Sequence, residues 1–312
     1  MTSVTDRVSL EAAPATVRRG GRRPQSGQRL APALFISVSV VLFATFFVGP
    51  AALGIWYSLT DYSGVGDADF VGLENYGELL GDQQFWSSLG RTAVYTVLAV
   101  PLHFVAALFV AVLITSPAAR GKGLAKIVLF VPWLISPIVT GVIWRWLFGE
   151  NFGFVNHLLS LVGIGSVRWE TDADWALVVV LLAGTWGGTA FNMLLFVAAI
   201  RNIPRSYLEA AEIDGASPRR RFFSVTLPLL APTSFLVVLL GTLGSMKEFA
   251  MVQALNGGGP GTENMLIVQY IYRTGFERAE IGYASAVSMV LMAILVLVAV
   301  VQLRFDRKED LS

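Results

Sequence analysis

Residues 205–232 read RSYLEAAEIDGASPRRRFFSVTLPLLAP and gather more charge than any stretch around them. Glu209, Glu212 and Asp214 give this block an anionic surface, Arg205 and Arg219 to Arg221 give it cationic flanks, and Ala210 and Ala211 leave a narrow side. Those residue types suit ionic docking into a cleft rather than bond-making. Pro204 fits a first-turn position, Ser206 can cap nearby amides, and Gly215 with Pro218 stops the chain, so Tyr207 to Ile213 is predicted to form about two helical turns. A helix lying on lipid would carry Trp, Phe or Leu along one face opposite Lys or Arg; this one is small and acidic, which favours a protein partner.

Catalytic constellations are missing by comparison. No GxxxxGK[ST] phosphate loop occurs, and Gly121-Lys122-Gly123 has neither the spacing nor the following Ser or Thr. HExxH and GxSxG are absent, and the 2 histidines, His103 and His157, are far apart in the sequence. His103 falls inside an apolar run, where a histidine is expected to be a satisfied interior group rather than a ligand or base. Gly257-Gly258-Gly259-Pro260-Gly261 resembles a phosphate loop in composition only and reads as a tight external turn. With 0 cysteines, disulfides, thiolate chemistry and Cys-based metal sites are excluded. The chain is expected not to be an enzyme and to hold no cofactor or metal of its own.

The elements that must position the polar block are membrane spans. Hydrophobic residues make up 54% of the 312 and charged ones 14%, outside the needs of a soluble domain. The apolar runs have the length that a bilayer asks for, ~20 residues each. Six transmembrane helices are predicted at roughly 31–58, 88–115, 124–147, 175–200, 224–248 and 283–303, with ends uncertain by about 2 to 4 residues. Continuous apolar runs without a period of two favour helices over barrel strands, so the fold class is all-α integral membrane. Kinks are expected at Gly49-Pro50, Pro101, Pro132 and Pro137.

Net charge is only +1, which gives no bulk argument for a nucleic-acid partner. The placement of the 23 Lys and Arg residues is informative instead. Most fall before residue 30, at 120–126, at 201–221 and after 303, whereas Asp61, Asp67, Asp69, Glu74, Asp172 and Asp174 lie in the alternate loops. Positive-inside asymmetry puts both termini and the 205–232 block in the cytoplasm. Residues 1–29 are expected to be a disordered basic tail, either a topology signal or a contact for anionic lipid, and the first helix is read as retained rather than cleaved. Residues 30–304 form the membrane domain, with 204–218 as its cytoplasmic segment, and 305–312 a short C-terminal tail. The 61–87 and 148–174 loops are expected to carry short helices in FVGLENYGELL and GFVNHLLSLVGI. Trp133, Trp144, Trp146, Trp169, Trp175 and Trp186 fall near span ends and read as an interfacial belt, with a sugar-stacking surface as the alternative.

Glu209-Ala210-Ala211, Gly215 and Val225-Thr226-Leu227-Pro228 together resemble the EAA motif of ATP-binding cassette (ABC) importer permeases. FVGLENY at 70–76, VPWLISPIVTGVIWRWLF at 131–148, GFVNHLL at 153–159, NGGGPGTEN at 256–264, YIYRTGF at 270–276 and GYASAVSMVL at 282–291 resemble the carbohydrate-type branch, similar to maltose and glycerol-phosphate importer permeases. The resemblance implies a permease subunit in the cell membrane of a prokaryote. It also implies a second homologous permease, two ABC ATPase subunits that carry the ATP and Mg, an external solute-binding protein and surrounding lipid. Arg205, Glu209, Ala210, Ala211, Asp214 and Gly215 would couple to the ATPase. The substrate path would run past Trp186, Gly188, Phe191, Asn192, Gly244, Ser245, Lys247 and Glu248, with Lys247 and Glu248 either in the pocket or at the outer interface. Gly184, Gly188, Gly241 and Gly244 depart from the maltose type, where polar side chains are expected. The solute is expected to be a sugar or of the glycerol-phosphate type. A secondary transporter, the other class considered, would need an ion-coupling site and an internal repeat, and neither is evident.

Overall fold

The computed structural model describes residues 27–116 and 121–309, with side chains from 34 to 306. The basic tail up to residue 26, Arg120 and the last three residues lie outside that range. Among the described residues the chain is helical, with one isolated bridge between Thr60 and Phe70 and no strand. Four helices are long and apolar enough to cross a membrane, and two bent helix pairs raise that to as many as six. The six sequence-derived spans overlap these segments, two of them at the bent pairs.

Residues up to Ala52 and those from Leu53 onward form two separate units. The first contains a helix from Gly27 to Phe43, a π-helical turn over Ala44–Val48 and the start of the Gly49–Tyr57 helix. The π turn immediately precedes Gly49-Pro50, where a local disturbance of the ladder was expected.

The second unit is organised by Gln83–Thr115, here called α1, and Ala173–Asn202, α2, which pack along one another. Ala99, Ala107 and Ala111 of α1 and Ala183 and Ala190 of α2 are buried, and small side chains at such a seam let two backbones approach closely. Each helix opens on an aspartate. Asp82 accepts from the Gln84 amide at 2.7 Å, and Asp172 from those of Asp174 and Trp175 at 3.0 and 3.1 Å, satisfying amides that have no partner within the helix. Pro101 leaves α1 unbroken over its 33 residues, contrary to a helix break there. In a membrane the freed carbonyl of a proline turn can be re-satisfied by neighbouring groups.

The 99° break falls between Lys122–Leu134 and Pro137–Leu147. Ile135 and Ser136 both leave the helical region, with ψ of 133° and 139°, as the residue preceding a proline must when the ring crowds it. A second bend of 67° separates Pro218–Leu229 from Ala231–Met246. Pro137–Leu147 then packs on the short Ala250–Leu255 helix. Gly141 makes that packing possible, because a Cβ there would run into the Met251 carbonyl and stand 3.0 Å from the Leu255 amide.

The outer loops are folded. Glu74–Gly81 and Phe154–Leu161 are the two expected short helices. Asn156 holds the second loop: its amide donates to the carbonyls of Glu150 and Val167 at 3.0 Å each and to Ser166 Oγ at 2.8 Å, while its oxygen accepts from Val167 N and Trp169 Nε1 at 3.1 and 2.8 Å. Trp169 is only 9% exposed, so it is a core group of this loop and not part of a belt. Glu150 Oε1 accepts from the Thr171 hydroxyl and from the amides of Glu170 and Thr171. Burial works against its charge, but those bonds and Arg168 hold the carboxyl below its usual value.

Candidate functional site

Cavity between the helices. α1 and α2, the broken pair around Ile135, the Ala231–Met246 helix and the Glu248–Met251 turn enclose a cavity of about 700 Å³. That volume falls within the ~300–1,000 Å³ usual for small-molecule sites. The break at Ile135 matters here because it lets Trp133 and Pro137, on opposite sides of it, both face the cavity. Trp133 stacks on Phe191 of α2 with ring centroids 4.8 Å apart and planes inclined by 22°. Asn192 and Ser245 are buried polar groups on the wall. Glu248 sits just past the end of Ala231–Met246, where its Oε1 accepts from the amides of Phe249 and Met251 at 3.1 and 3.3 Å. Two amides at the start of the Ala250–Leu255 helix thus fix the carboxylate's direction.

Six of the eight residues expected along the substrate path line this cavity: Gly188, Phe191, Asn192, Gly244, Ser245 and Glu248. Trp186 and Lys247 do not. Trp186 turns toward Trp144, 6.3 Å away between centroids, because a neighbour two positions from Gly188 lies on another side of a helix. Lys247 closes the Ala231–Met246 helix with its amide on the Gly244 carbonyl at 3.1 Å, and its side chain is exposed.

The sequence reading missed Tyr95 and His103 of α1, which also line the cavity. His103 was expected to be satisfied, yet its Nε2 is buried with no hydrogen-bond partner. The glycines explain its position. A Cβ on Gly188 would stand 3.2 Å from His103 Nδ1, and one on Gly184 would stand 2.8 Å from the Tyr95 hydroxyl. These glycines, set one helical turn apart, therefore make room for polar side chains that reach in from α1. The available signal was a lone histidine in one span facing two glycines four apart in another.

Polar segment at 204–218. Arg205–Ile213 is helical, as expected from Tyr207 onward. Pro204 occupies the N-cap rather than the first turn, and no side chain caps the helix, so Ser206 does not fill that role. Gly215, at φ +72°, ends it in a left-handed turn that favours glycine. The Gly215 amide donates to Glu212 O at 3.0 Å and the Ala216 amide to Ala211 O at 2.9 Å, which satisfies the final carbonyls. Arg221 Nη1 meets Glu212 Oε2 at 2.8 Å, the one ion pair among the described residues. Arg205, Glu209, Ala210, Asp214 and Gly215 are exposed, and Ala211 is half-buried. The surface is less uniformly acidic than the composition suggests, since Tyr207 and Ile213 are also exposed, Ile213 by 86%.

Outer clasp. Asp82 Oδ2 accepts from the Tyr270 hydroxyl and, at 2.8 Å, from that of Tyr283. It joins the start of α1 to Ile267–Tyr272 and to the start of the last helix, Ile281–Glu309. Burial raises the carboxyl's pKa, but the two phenol donors and the amides of Phe85 and Gln84 outweigh it and hold Asp82 below its usual value.

Relatives. The sn-glycerol-3-phosphate transport system permease protein UgpA of Yersinia pestis bv. Antiqua (strain Antiqua) is 32% identical over 280 residues, covering 89% of this chain and 94% of its own. The sulfoquinovosyl glycerol transport system permease protein SmoG of Agrobacterium fabrum (strain C58 / ATCC 33970) is 32% identical over 287 residues, covering 91% of this chain and 92% of its own. Among solved structures, a chain of a bacterial ABC transporter involved in the import of the acidic polysaccharide alginate superposes with a TM-score of 0.80 at 20% identity, over 90% of this chain and 96% of that one. It shares the fold. Residues 80–310 match the model of the binding-protein-dependent transport system inner membrane component, and the chain, a multi-pass membrane protein, belongs to that permease family.

Proposed function

We propose that the chain is one half of the translocation pathway of an ATP-driven importer, carrying a sugar or sugar-like solute handed over by an external binding protein. With six spans, counting each bent pair as one, both termini lie on one side of the membrane, and the bias of Lys and Arg supports the cytoplasm of a prokaryotic cell for them and for the 204–218 segment. The domain bounds are those of the sequence reading: a basic tail over 1–29, the membrane domain over 30–304 and a short tail over 305–312. A second homologous permease faces this one, and two ABC ATPases bind from the cytoplasm.

The observation that carries this reading is the exposed Arg205–Ile213 helix between α2 and the Pro218–Met246 spans, whose outer parts line the cavity. The chain has no phosphate loop, so energy must arrive from another subunit. Arg205, Glu209, Ala210, Ala211, Asp214 and Gly215 form the docking surface, with Glu209 as the anionic contact. A short helix closed by the Gly215 turn transmits a displacement, whereas a flexible loop would absorb it. ATP and Mg are bound on the ATPases, and this subunit is non-catalytic.

The named relatives support a solute bearing a sugar or glycerol unit. Purifying the tagged chain from its native membrane in mild detergent tests the assembly. An ATPase subunit and a second permease are expected in stoichiometric amounts, and a chain that emerges without an ATPase would overturn the proposal.

A further inference from the structure

We propose that this chain's wall of the cavity selects an uncharged, hydroxyl-bearing solute and rejects anionic ones, with His103 and Glu248 as its specificity-determining polar groups. The inference rests on the cavity being the solute path, and it separates this chain from relatives named for glycerol 3-phosphate and for a sulfonated glycoside.

Charge carries the argument. No Lys or Arg lines the cavity, and its one ionisable acid is Glu248. A phosphate or sulfonate brought out of water needs a cation or a dense set of donors, because burying an unpaired charge costs far more than burying a hydroxyl. Here it would meet no Lys or Arg, and a carboxyl group whose Oε1 is already placed as an acceptor. Lys247, the nearest cation in sequence, is exposed and is not among the lining residues. With Oε1 held by two backbone amides, Glu248 keeps its second oxygen to accept from a solute hydroxyl.

The other groups match a sugar or polyol. His103 lines the cavity, and its buried Nε2 has no protein partner, so a rotation of the ring toward a solute hydroxyl would give that atom the bond it lacks. The ring packs directly over Gly188, where a Cβ would stand 3.2 Å from Nδ1. Asn192 and Ser245 add donors and acceptors, and the stacked Trp133–Phe191 pair offers an apolar aromatic surface to the C–H face of a pyranose ring. Polar groups that the glycines of α2 cannot supply thus come from α1.

The test uses the assembled transporter with its binding protein in proteoliposomes. Uptake is measured for radiolabelled maltose, trehalose, glycerol and sorbitol, and for glycerol 3-phosphate and glucose 6-phosphate. Uptake of at least one uncharged compound and of neither phosphate is expected. Uptake of a phosphate overturns the inference while leaving the importer reading intact. A complex that moves none of the six, and whose ATPase none of them stimulates, counts against both.

Two variants sharpen the test. His103→Leu should raise KM for the uncharged solute about tenfold, as loss of a buried hydrogen bond would, while His103→Gln restores much of it. Glu248→Gln should let glycerol 3-phosphate compete with uptake about tenfold better than in the parent, since an amide N–H donor then replaces a carboxyl oxygen. If both variants match the parent in KM and in competition, these residues do not set specificity.

Discussion

The Arg205–Ile213 helix is finished by bonds inside one short stretch, from Pro204 through the Gly215 turn to the Glu212–Arg221 pair. The cavity wall, by contrast, draws Tyr95, His103, Trp133, Phe191, Ser245 and Glu248 from segments scattered across the second unit. The first surface is exposed and adds little to the stability of its own subunit, so in the proposed assembly its residues answer to a partner. The second is part of the packing that holds the subunit together, so its residues answer to the fold and the solute at once. Substitutions should therefore separate the two regions: transport without stability at one, both together at the other.

The largest effect is expected from Glu209→Lys. Reversing an exposed contact charge should lower uptake about tenfold or more while ATP hydrolysis by the complex persists. Membrane insertion and thermal unfolding of the subunit should stay at the parent's values. Normal uptake by this variant would remove Glu209 from the docking surface and break the contrast.

Gly141→Ala should act in the opposite way. Its Cβ meets backbone at Met251 and Leu255, which cannot rotate aside, so a loss of about 1–3 kcal/mol in stability is expected, read as a lower unfolding temperature in detergent. Uptake should fall in proportion to the folded protein recovered. An unchanged unfolding temperature would mean that the packing of Pro137–Leu147 on Ala250–Leu255 is looser than this contact requires.

Asp82→Asn should cost about 1–3 kcal/mol at neutral pH, because two phenol donors lose a charged acceptor. The sign of its pH dependence follows from the lowered carboxyl of Asp82. A group whose pKa is depressed by folding contributes stability above its unfolded value, and that contribution is lost as pH falls through the folded one. The gap in unfolding temperature between parent and variant should thus be full at pH 7 and close in acid. A gap constant with pH would show that the clasp depends on shape rather than charge.

Glu212→Ala should do least. The Arg221 pair is largely solvent-exposed on the glutamate side, at 68%, and such pairs contribute ~0–1 kcal/mol. A shift in unfolding temperature too small to resolve is expected, and a large one would make this segment a structural element of its own subunit.

What could be read from the sequence divides along the same line. The polar helix was legible because its determinants are local: Pro204 opens it, Gly215 closes it, and its charges cluster between Arg205 and Asp214. The apolar runs were legible for the same reason, as were the two short outer helices. The 99° break at Ile135–Ser136 was only half visible, since Pro132 and Pro137 announce a disturbance without saying that Pro132 stays helical and Pro137 starts a new helix. Pro101 carries the same local signal and leaves its helix whole, which shows that surrounding packing decides the outcome.

The cavity was legible in part. Phe191, Asn192, Gly244, Ser245 and Glu248 flank the polar segment in sequence and could be placed by their helices. Trp186 and Lys247 share that neighbourhood and yet miss the cavity, because nearness along a helix does not settle which side a residue occupies. Tyr95 and His103 were invisible as wall residues for a different reason: their role depends on what Gly184 and Gly188 omit. An absent side chain in one helix acquires meaning only when the helix opposite is known.

The loop held by Asn156 has its shape concentrated in one amide, which reaches Glu150, Ser166, Val167 and Trp169 together. Phe152, Leu161 and Val162 on the same loop are exposed and carry none of those bonds. Form and surface are thus assigned to different residues. A lineage can rewrite the exposed face of this loop, and with it whatever docks there, without relearning how to fold it, provided that Asn156 and the Glu150 carboxylate are left alone.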